Sequence, residues 1–447
     1  MSETTQTESN HNQISPRWKF PFFTIWSGQA LSFLGSAIGR FALIWWLTDL
    51  TGSAVVLTTA TLAAVLPQVF LGPFAGAYVD RWNRRKVMIV ADSLIALVSL
   101  TLAYLFWSDQ MQIWHVYVVV FLRAIGSAFH GPAMSTSTSL MVPEKQLSRV
   151  AGLNQTLRGS LMMAGPPLGA LILSFMPLHY VMLLDLATAL PAILPLLFIR
   201  IPQPERSRKT EETSIWVDVK EGMAYIRAWR GLFTLLIMAA IGNFVYNPII
   251  SLLPLYVKEY FSGGAAELGW LQSAQGIGIV FGGLILGAWG GFKSRILTSL
   301  LGQLLQGAAT LIFGLLVPEA FGIALVVWGA AFFFNVFYNG PMFALLQANV
   351  KPEMQGRVFT VLNSMVLIAY PLSLLTAGPL TEKFGIQIWI VTGGVVAVSL
   401  GTIALMTPAI RNLEKDHKAK HLPKNQNNVF QQSAENAIAG NLKKSEK

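Results

Sequence analysis

Five charged residues stand inside stretches that are otherwise apolar: Arg40, Asp92, Arg123, Arg158 and Asp185. A charge in hydrocarbon is costly unless it is paired or hydrated, so each is either part of an ion or proton pathway or one half of a structural ion pair. Asp92 and Asp185 are the acids within these stretches, and each can take up a proton. Arg123 lies near the centre of its stretch. It would lower the pKa of a nearby carboxylate, hold an anionic group, or serve a fixed structural partner. Matching depths predict two pairs, Asp92 with Arg158 in the inner third and Asp185 with Arg40 in the outer third. A second constellation, Gly72, Gly76, Asp80, Arg81, Arg84, Arg85 and Lys86, sits where an apolar stretch ends. A carboxylate beside arginines and helix ends can latch one conformation and release another. Basic residues alone would be only an anchor. Gly72 and Gly76, four apart, would share a helical face that lets a neighbour approach closely.

The elements that must position these groups are membrane helices. Of 447 residues, 53% are hydrophobic and 12% charged, against about 25% charged in soluble proteins. The mean hydropathy is +0.53. A span needs about 20 apolar residues. That ruler gives twelve: 21–48, 54–79, 87–107, 113–138, 150–175, 180–199, 232–257, 267–290, 296–317, 320–347, 358–381 and 387–408, the fifth and eighth being rich in Gly or polar residues. With an inside N-terminus, 27 of the 32 Lys and Arg fall in cytoplasmic segments, as the positive-inside rule requires. That placement accounts for the net charge of +10 without nucleic acid.

The chain also repeats itself. Gly131-Pro132 and Pro143-Glu144 recur at Gly340-Pro341 and Pro352-Glu353, an offset of 209. Gly72, Gly76 and Arg84 recur at Gly283, Gly287 and Arg295, an offset of 211. A half-length parallel repeat in an apolar chain is the mark of a duplicated membrane bundle. The expected organisation is a cytoplasmic tail (1–17), a six-helix bundle (18–200), a cytoplasmic linker (201–230), a second bundle (231–410) and a disordered polar tail (411–447). In the linker, Ile215, Trp216, Val219, Met223 and Ile226 share a helical face, which reads as an amphipathic helix on the inner membrane surface or as a solvated linker helix. The absence of cysteine excludes disulfides and thiolate chemistry. No cleaved signal peptide is expected.

Gly76 to Lys86 resembles the cytoplasmic signature loop of the major facilitator superfamily, with Asn83 where that signature has Gly. Asn is the next best residue for the left-handed turn a Gly would make. Trp26-Ser27-Gly28-Gln29-Ala30, Thr51-Gly52-Ser53-Ala54, Val142-Pro143-Glu144 and Gly356-Arg357-Val358-Phe359 resemble the macrolide-efflux (Mef) proteins of that superfamily, over residues 18 to 410. Gly165, Pro166 and Gly169 resemble its antiporter motif in the fifth helix, although Leu161 departs from it. A simple packing kink reads equally well there. Arg123-Ala124-Ile125-Gly126 resembles the fourth-helix arginine motif linked to proton transfer. The resemblance implies that spans 1, 4, 7 and 10 line the cavity. They offer Trp45, Trp46, Asn243, Tyr246, Asn247, Phe334, Asn335, Phe337, Tyr338 and Asn339, apolar faces with a few amides that suit a bulky amphipathic ligand.

The resemblance implies an all-α membrane protein of twelve helices in two pseudo-repeated bundles. Its expected activity is export of hydrophobic drugs in exchange for protons by alternating access. The setting would be a bacterial plasma membrane, with both termini cytoplasmic, as a monomer without cofactor or metal. The alternative cargo is physiological, such as a siderophore or lysophospholipid. A membrane enzyme or a sensor is the reading from another class. No His pair at metal spacing, Gly-x-Ser-x-Gly or nucleotide-binding loop supports an enzyme or an ATP-driven pump.

Overall fold

The computed structural model describes residues 17–203, 215–350, 352–411 and 413–414. The N-terminal tail up to residue 16, the basic residues Arg206, Arg208 and Lys209, and the polar tail from 415 lie outside the described residues. The rest is helical: α1 (Lys19–Thr51), α2 (Ala54–Arg81), α3 (Arg84–Trp107), α4 (Ile113–Met141), α5 (Glu144–Phe175), α6 (Leu178–Phe198), α7 (Ile215–Ala228), α8 (Arg230–Glu259), α9 (Ala265–Trp289), α10 (Arg295–Leu315), α11 (Phe321–Asn349), α12 (Pro352–Phe384), α13 (Gln387–Met406) and the short α14 (Pro408–Arg411). Ten helices are long and apolar enough to cross a membrane. Among the long helices whose side chains are all described, α5 alone is too polar to meet that measure, whereas α9, built on the weak eighth stretch, meets it.

Local chemistry sets the boundaries. α1 ends at Gly52, whose φ of 56° is left-handed and suits a residue without Cβ. Ser53 then accepts from Val56 N–H and opens α2. Asn83 and Ser294, related by the offset of 211, accept from Lys86 and Leu297 N–H and open α3 and α10. The structure therefore corrects the role expected for Asn83. Its φ of −71° is not left-handed, and the side chain works as an N-cap.

The duplication is real in three dimensions. In the first half α1 packs on α5 and α6, α3 on α4 and α6, and α2 on α4. In the second half α8 packs on α12 and α13, α10 on α11 and α13, and α9 on α11. The halves meet through α5 against α9 and α2 against α12, the same pair exchanged between repeats. These contacts gather at the end away from the basic loops. A Cβ on Gly378 of α12 would lie 2.9 Å from Val55 Cα, and one on Gly276 of α9 would lie 2.7 Å from Met163 Cα. At the basic end, Cβ atoms on Gly72, Gly76, Gly152, Gly283, Gly287 or Gly356 would meet nothing within 4 Å. The expectation that a helix approaches Gly72 and Gly76 is thus not met in this conformation, because the halves are splayed there.

The linker helix also departs from expectation. The side chains of Ile215, Trp216 and Val219 lie outside the described residues. Of the rest of that face, Ile226 is fully buried and Met223 packs on the same cluster with Leu232, Val350 and Val361. Gly222 lets the helix reach the Arg357 backbone, and Glu221 pairs with Arg357 at 2.6 Å. The helix rests on α12 and its neighbours rather than offering this part of its apolar face to lipid. Overpacking a tight helix crossing costs about 1–3 kcal/mol, while Gly→Ala at an open helical site gains up to ~1 kcal/mol. We therefore expect Gly276→Ala to lower the melting temperature in detergent and Gly283→Ala to hold or raise it, as read by tryptophan fluorescence.

Candidate functional site

The charged groups of the first half form two knots. Asp185 of α6 is 2% exposed and fully engaged. Oδ1 accepts from Ser36 Oγ of α1 at 2.9 Å, and Oδ2 accepts from Ser99 Oγ of α3 at 2.7 Å and from Arg123 Nη1 of α4 at 2.6 Å. Arg123 also donates to Ser99 Oγ at 2.8 Å. Asp92 of α3 is 4% exposed and less well held. Its Oδ2 accepts from Gln29 Nε2 of α1 at 2.7 Å, and its Oδ1 lies 3.3 Å from His130 Nε2 of α4. That contact is off the line a hydrogen bond needs, and both His130 Nε2 and Gln29 Oε1 are buried without a partner.

Both predicted ion pairs are corrected. Asp185 pairs with Arg123, not Arg40. Arg40 is exposed on α1, with the charge of Arg123 in its neighbourhood. Asp92 meets His130 and Gln29, not Arg158. Arg158 is exposed midway along α5, among the exposed Gln155, Thr156 and Ser160. A guanidinium is always charged and costly in hydrocarbon, so this exposed face of α5 is suited to an aqueous space rather than to lipid. That face is also why α5 fails the apolar measure.

In the second half, the ends of α8, α10, α11 and α12 nearer the basic loops enclose a cavity of about 490 Å³. Among its lining residues are Asn243, Gln303, Tyr338, Asn339, Phe343 and Phe359. Among the described residues, no acidic or basic side chain lines it. Three of the ten predicted cavity residues, Asn243, Tyr338 and Asn339, are there, whereas Phe334 and Phe337 both pack against Phe333. Asn335 instead donates to Gln306 Oε1 at 3.2 Å. Tyr246 packs against Phe332, and Trp46 stands edge-on to Phe106. Trp45 lines a separate hollow of about 330 Å³ with Ala170 and Glu267. Asn247 is half-buried on α8 and lines neither cavity.

Residues 25–373 match the Major Facilitator Superfamily family. The chain belongs to that superfamily. It is 35% identical over 397 residues to macrolide efflux protein A of Streptococcus pyogenes, covering 89% of this chain and 98% of the relative. It is 27% identical to the multidrug efflux pump Tap of Mycobacterium tuberculosis, covering 88% and 95%. Among solved structures it resembles a bacterial homologue of the human lysosomal transporter Spinster in an inward-facing, unoccupied conformation. The TM-score is 0.68 and the identity 15%, with 90% of this chain and 99% of that one covered. A bacterial homologue of the iron transporter ferroportin, also inward-facing, gives a TM-score of 0.66 at 14% identity, covering 85% and 98%. The chain is thus a multi-pass membrane transporter of the superfamily and not an enzyme.

The signature loop of this superfamily member is closed on itself. Arg84, 3% exposed, pairs with Asp80 one turn earlier at 3.2 Å. Arg85 donates to the carbonyls of Leu196 and Leu197 at the end of α6. Arg81 and Lys86 flank these contacts, and among the described residues Asp80 bonds to Arg84 of its own half. At the antiporter-like segment, Cβ atoms on Gly165 and Gly169 would meet Ala37 and the Phe41 ring at 3.1 and 2.8 Å. One on Gly269 would meet Pro167 Cα at 3.3 Å. The Gly-Pro run is therefore where α1, α5 and α9 converge, and α5 continues through it unbroken.

Sequence reasoning missed His130, Gln29 and Gln303. The repeat could have found His130 and Gln303, though not Gln29. The offset of 211 that takes Arg84 to Arg295 takes Asp92 to Gln303, and the offset of 209 that takes Gly131 to Gly340 takes His130 to Asn339. Because Asp185 compensates Arg123, Asp185→Asn should cost about 3–5 kcal/mol by leaving a cation without its counter-ion. We expect that variant to be lost from the folded fraction on gel filtration, with Asp185→Asn/Arg123→Leu partly restored.

Proposed function

We propose that this transporter exports hydrophobic or amphipathic drugs of the macrolide type from a bacterial cell, exchanging drug for protons by alternating access. The observation that carries the reading is the 35% identity to a macrolide efflux protein over nearly the full length of both chains. The uncharged cavity of the second half supports it, because amides and aromatic rings suit a large ligand that is mostly apolar with scattered oxygens. Both termini lie in the cytoplasm, where the positive-inside rule puts the basic loops. α5 also crosses the bilayer, with its polar face turned to the aqueous pathway, and α12 crosses as an apolar span. The protein works as a monomer.

In this orientation the conformation described opens inward. At the outer end Lys258 of α8 pairs with Asp49 of α1 at 3.1 Å and donates to the Asp49 carbonyl at 2.6 Å. Glu382 of α12 accepts from Ser53 Oγ at 2.6 Å and from Val55 N–H at 3.3 Å. These contacts clasp the α1–α2 turn to the second half and break when the outer side opens. The bare faces at Gly72, Gly76, Gly283 and Gly287 are then the surfaces on which the inner ends close. Asp80, freed from Arg84, would latch that outward-open form.

The reading is tested by drug susceptibility in an efflux-deficient bacterium expressing the chain. We expect raised resistance to a macrolide, abolished by a protonophore. No change for any macrolide or cationic dye, with the protein present in the membrane, would refute it. Gly76→Leu and Asp80→Asn should each reduce that resistance at least several-fold while leaving membrane insertion and the gel-filtration profile unaltered. Full resistance in both variants would remove the inner latch.

A further inference from the structure

We infer that Asp92 and His130, together with Gln29, form the site that carries the transported proton. This rests on the proton-exchange reading above and assigns it to particular atoms. A proton carrier must exist in two charge states without collapse of its surroundings. Asp185 fails that requirement. It faces a permanent guanidinium and two hydroxyl donors, and protonation would leave Arg123 without its counter-ion. Asp92 meets it. Its partners are an amide and an imidazole, and imidazole is the side chain that changes charge near neutral pH. The pair can hold one proton as carboxylate and imidazolium, or as carboxylic acid and neutral imidazole. Without that proton it is a carboxylate beside a neutral ring.

The incomplete bonding fits this role. Two buried polar atoms at one carboxylate, His130 Nε2 and Gln29 Oε1, lack partners, and such groups in a well-packed protein need a functional account. With Asp92 protonated, a half-turn of the amide lets Gln29 Oε1 accept the new O–H. With Asp92 ionised, Gln29 Nε2 donates to it as seen. The ring of Phe33 of α1, 39% exposed, stands edge-on to the imidazole at 5.8 Å, so one side chain lies between His130 and accessible space. The other charged groups on the elements packed around the pair are committed or distant. Arg123 and Asp185 engage each other, and Arg123 is seven residues from His130, about 10 Å along α4. On α3, Arg84, eight residues from Asp92, pairs with Asp80 of α2, Arg85 donates to the Leu196 and Leu197 carbonyls, and Lys86 is exposed at the helix start. Arg40 of α1 lies eleven residues from Gln29, about 16 Å along the helix.

The repeat gives an independent argument. The mates of Asp92 and His130 are Gln303 and Asn339, and both line the uncharged cavity of the second half. Duplication has placed a titratable pair at one position and an amide pair at its equivalent. The first takes the proton and the second faces the drug. The two cargoes therefore meet different atoms, and their coupling runs through the conformational change that moves both halves.

The test uses the full chain, which has no native cysteine. A single cysteine at Gly152, on the open inner face, reports by its alkylation rate, normalised to a free thiol, how far the inner side is open. We expect this rate to change between pH 5.5 and 8.5 without drug, and Asp92→Asn and His130→Asn each to abolish that change. His130→Asn installs the residue its repeat mate already carries, which guards against misfolding. In proteoliposomes both variants should keep erythromycin counterflow yet lose accumulation driven by a pH gradient. An unchanged pH response in both variants, or pH-driven accumulation preserved in both, overturns the assignment. A wild-type protein that responds to pH but moves no erythromycin overturns the drug reading and leaves the proton site standing.

Discussion

One buried carboxylate organises the first half. Asp185 receives Ser36, Ser99 and Arg123, so a single side chain of α6 ties together α1, α3, α4 and α6. The low dielectric that makes an unpaired charge costly makes this fully bonded one directional, and it fixes the rotation of all four helices about their axes. Once they are fixed, the next polar positions towards the basic end, Gln29, Asp92 and His130, have little choice but to face one another.

The second half reaches the same helix arrangement by another route. The mate of Asp185 is Gly394, where a Cβ would lie 2.5 Å from Leu311 N. Gly302, Gly307, Gly314 and Gly401 bring α10 equally close to α11 and α13. Packing of backbone on backbone, the usual glue of membrane helices, replaces the ionic knot. The consequence is a half with, among the described residues, no buried ion pair at its centre and room for an uncharged cavity, set against a half that gathers the charge. The two repeats share a fold and divide the chemistry.

Much of this was legible in the sequence. Apolar length located the helices, the repeat gave the two bundles, and the motifs pointed to the superfamily. The pairing of charges was not legible, because depth is only one of the coordinates that decide contact. Arg123 stands ten residues into α4 and Asp185 seven into α6, about 15 and 10 Å along. A guanidinium on its long stem crosses that difference. Arg40 matched in depth but lies on another face. Arg158 needed no partner, since hydration by an aqueous cleft cannot be read from one helix alone. His130 was invisible because a lone histidine has no spacing signature, and only its repeat mate marks it. Asn83 was assigned a turn role from the residue it replaces, whereas its side chain does the work of a helix cap.

The outer clasp has a consequence of its own. Lys258 is 31% and Asp49 64% exposed in their side chains, and exposed pairs contribute about 0–1 kcal/mol. Contacts of this strength add little to the packing of α2 on α12 and of α5 on α9 at the same end, so they adjust the closure rather than lock it. In the orientation proposed above the clasp meets the medium outside the cell, and its strength follows the ionic strength there, with a screening length of about 8 Å at physiological salt. The balance between the two faces of the transporter is thus set partly by the fluid into which it empties.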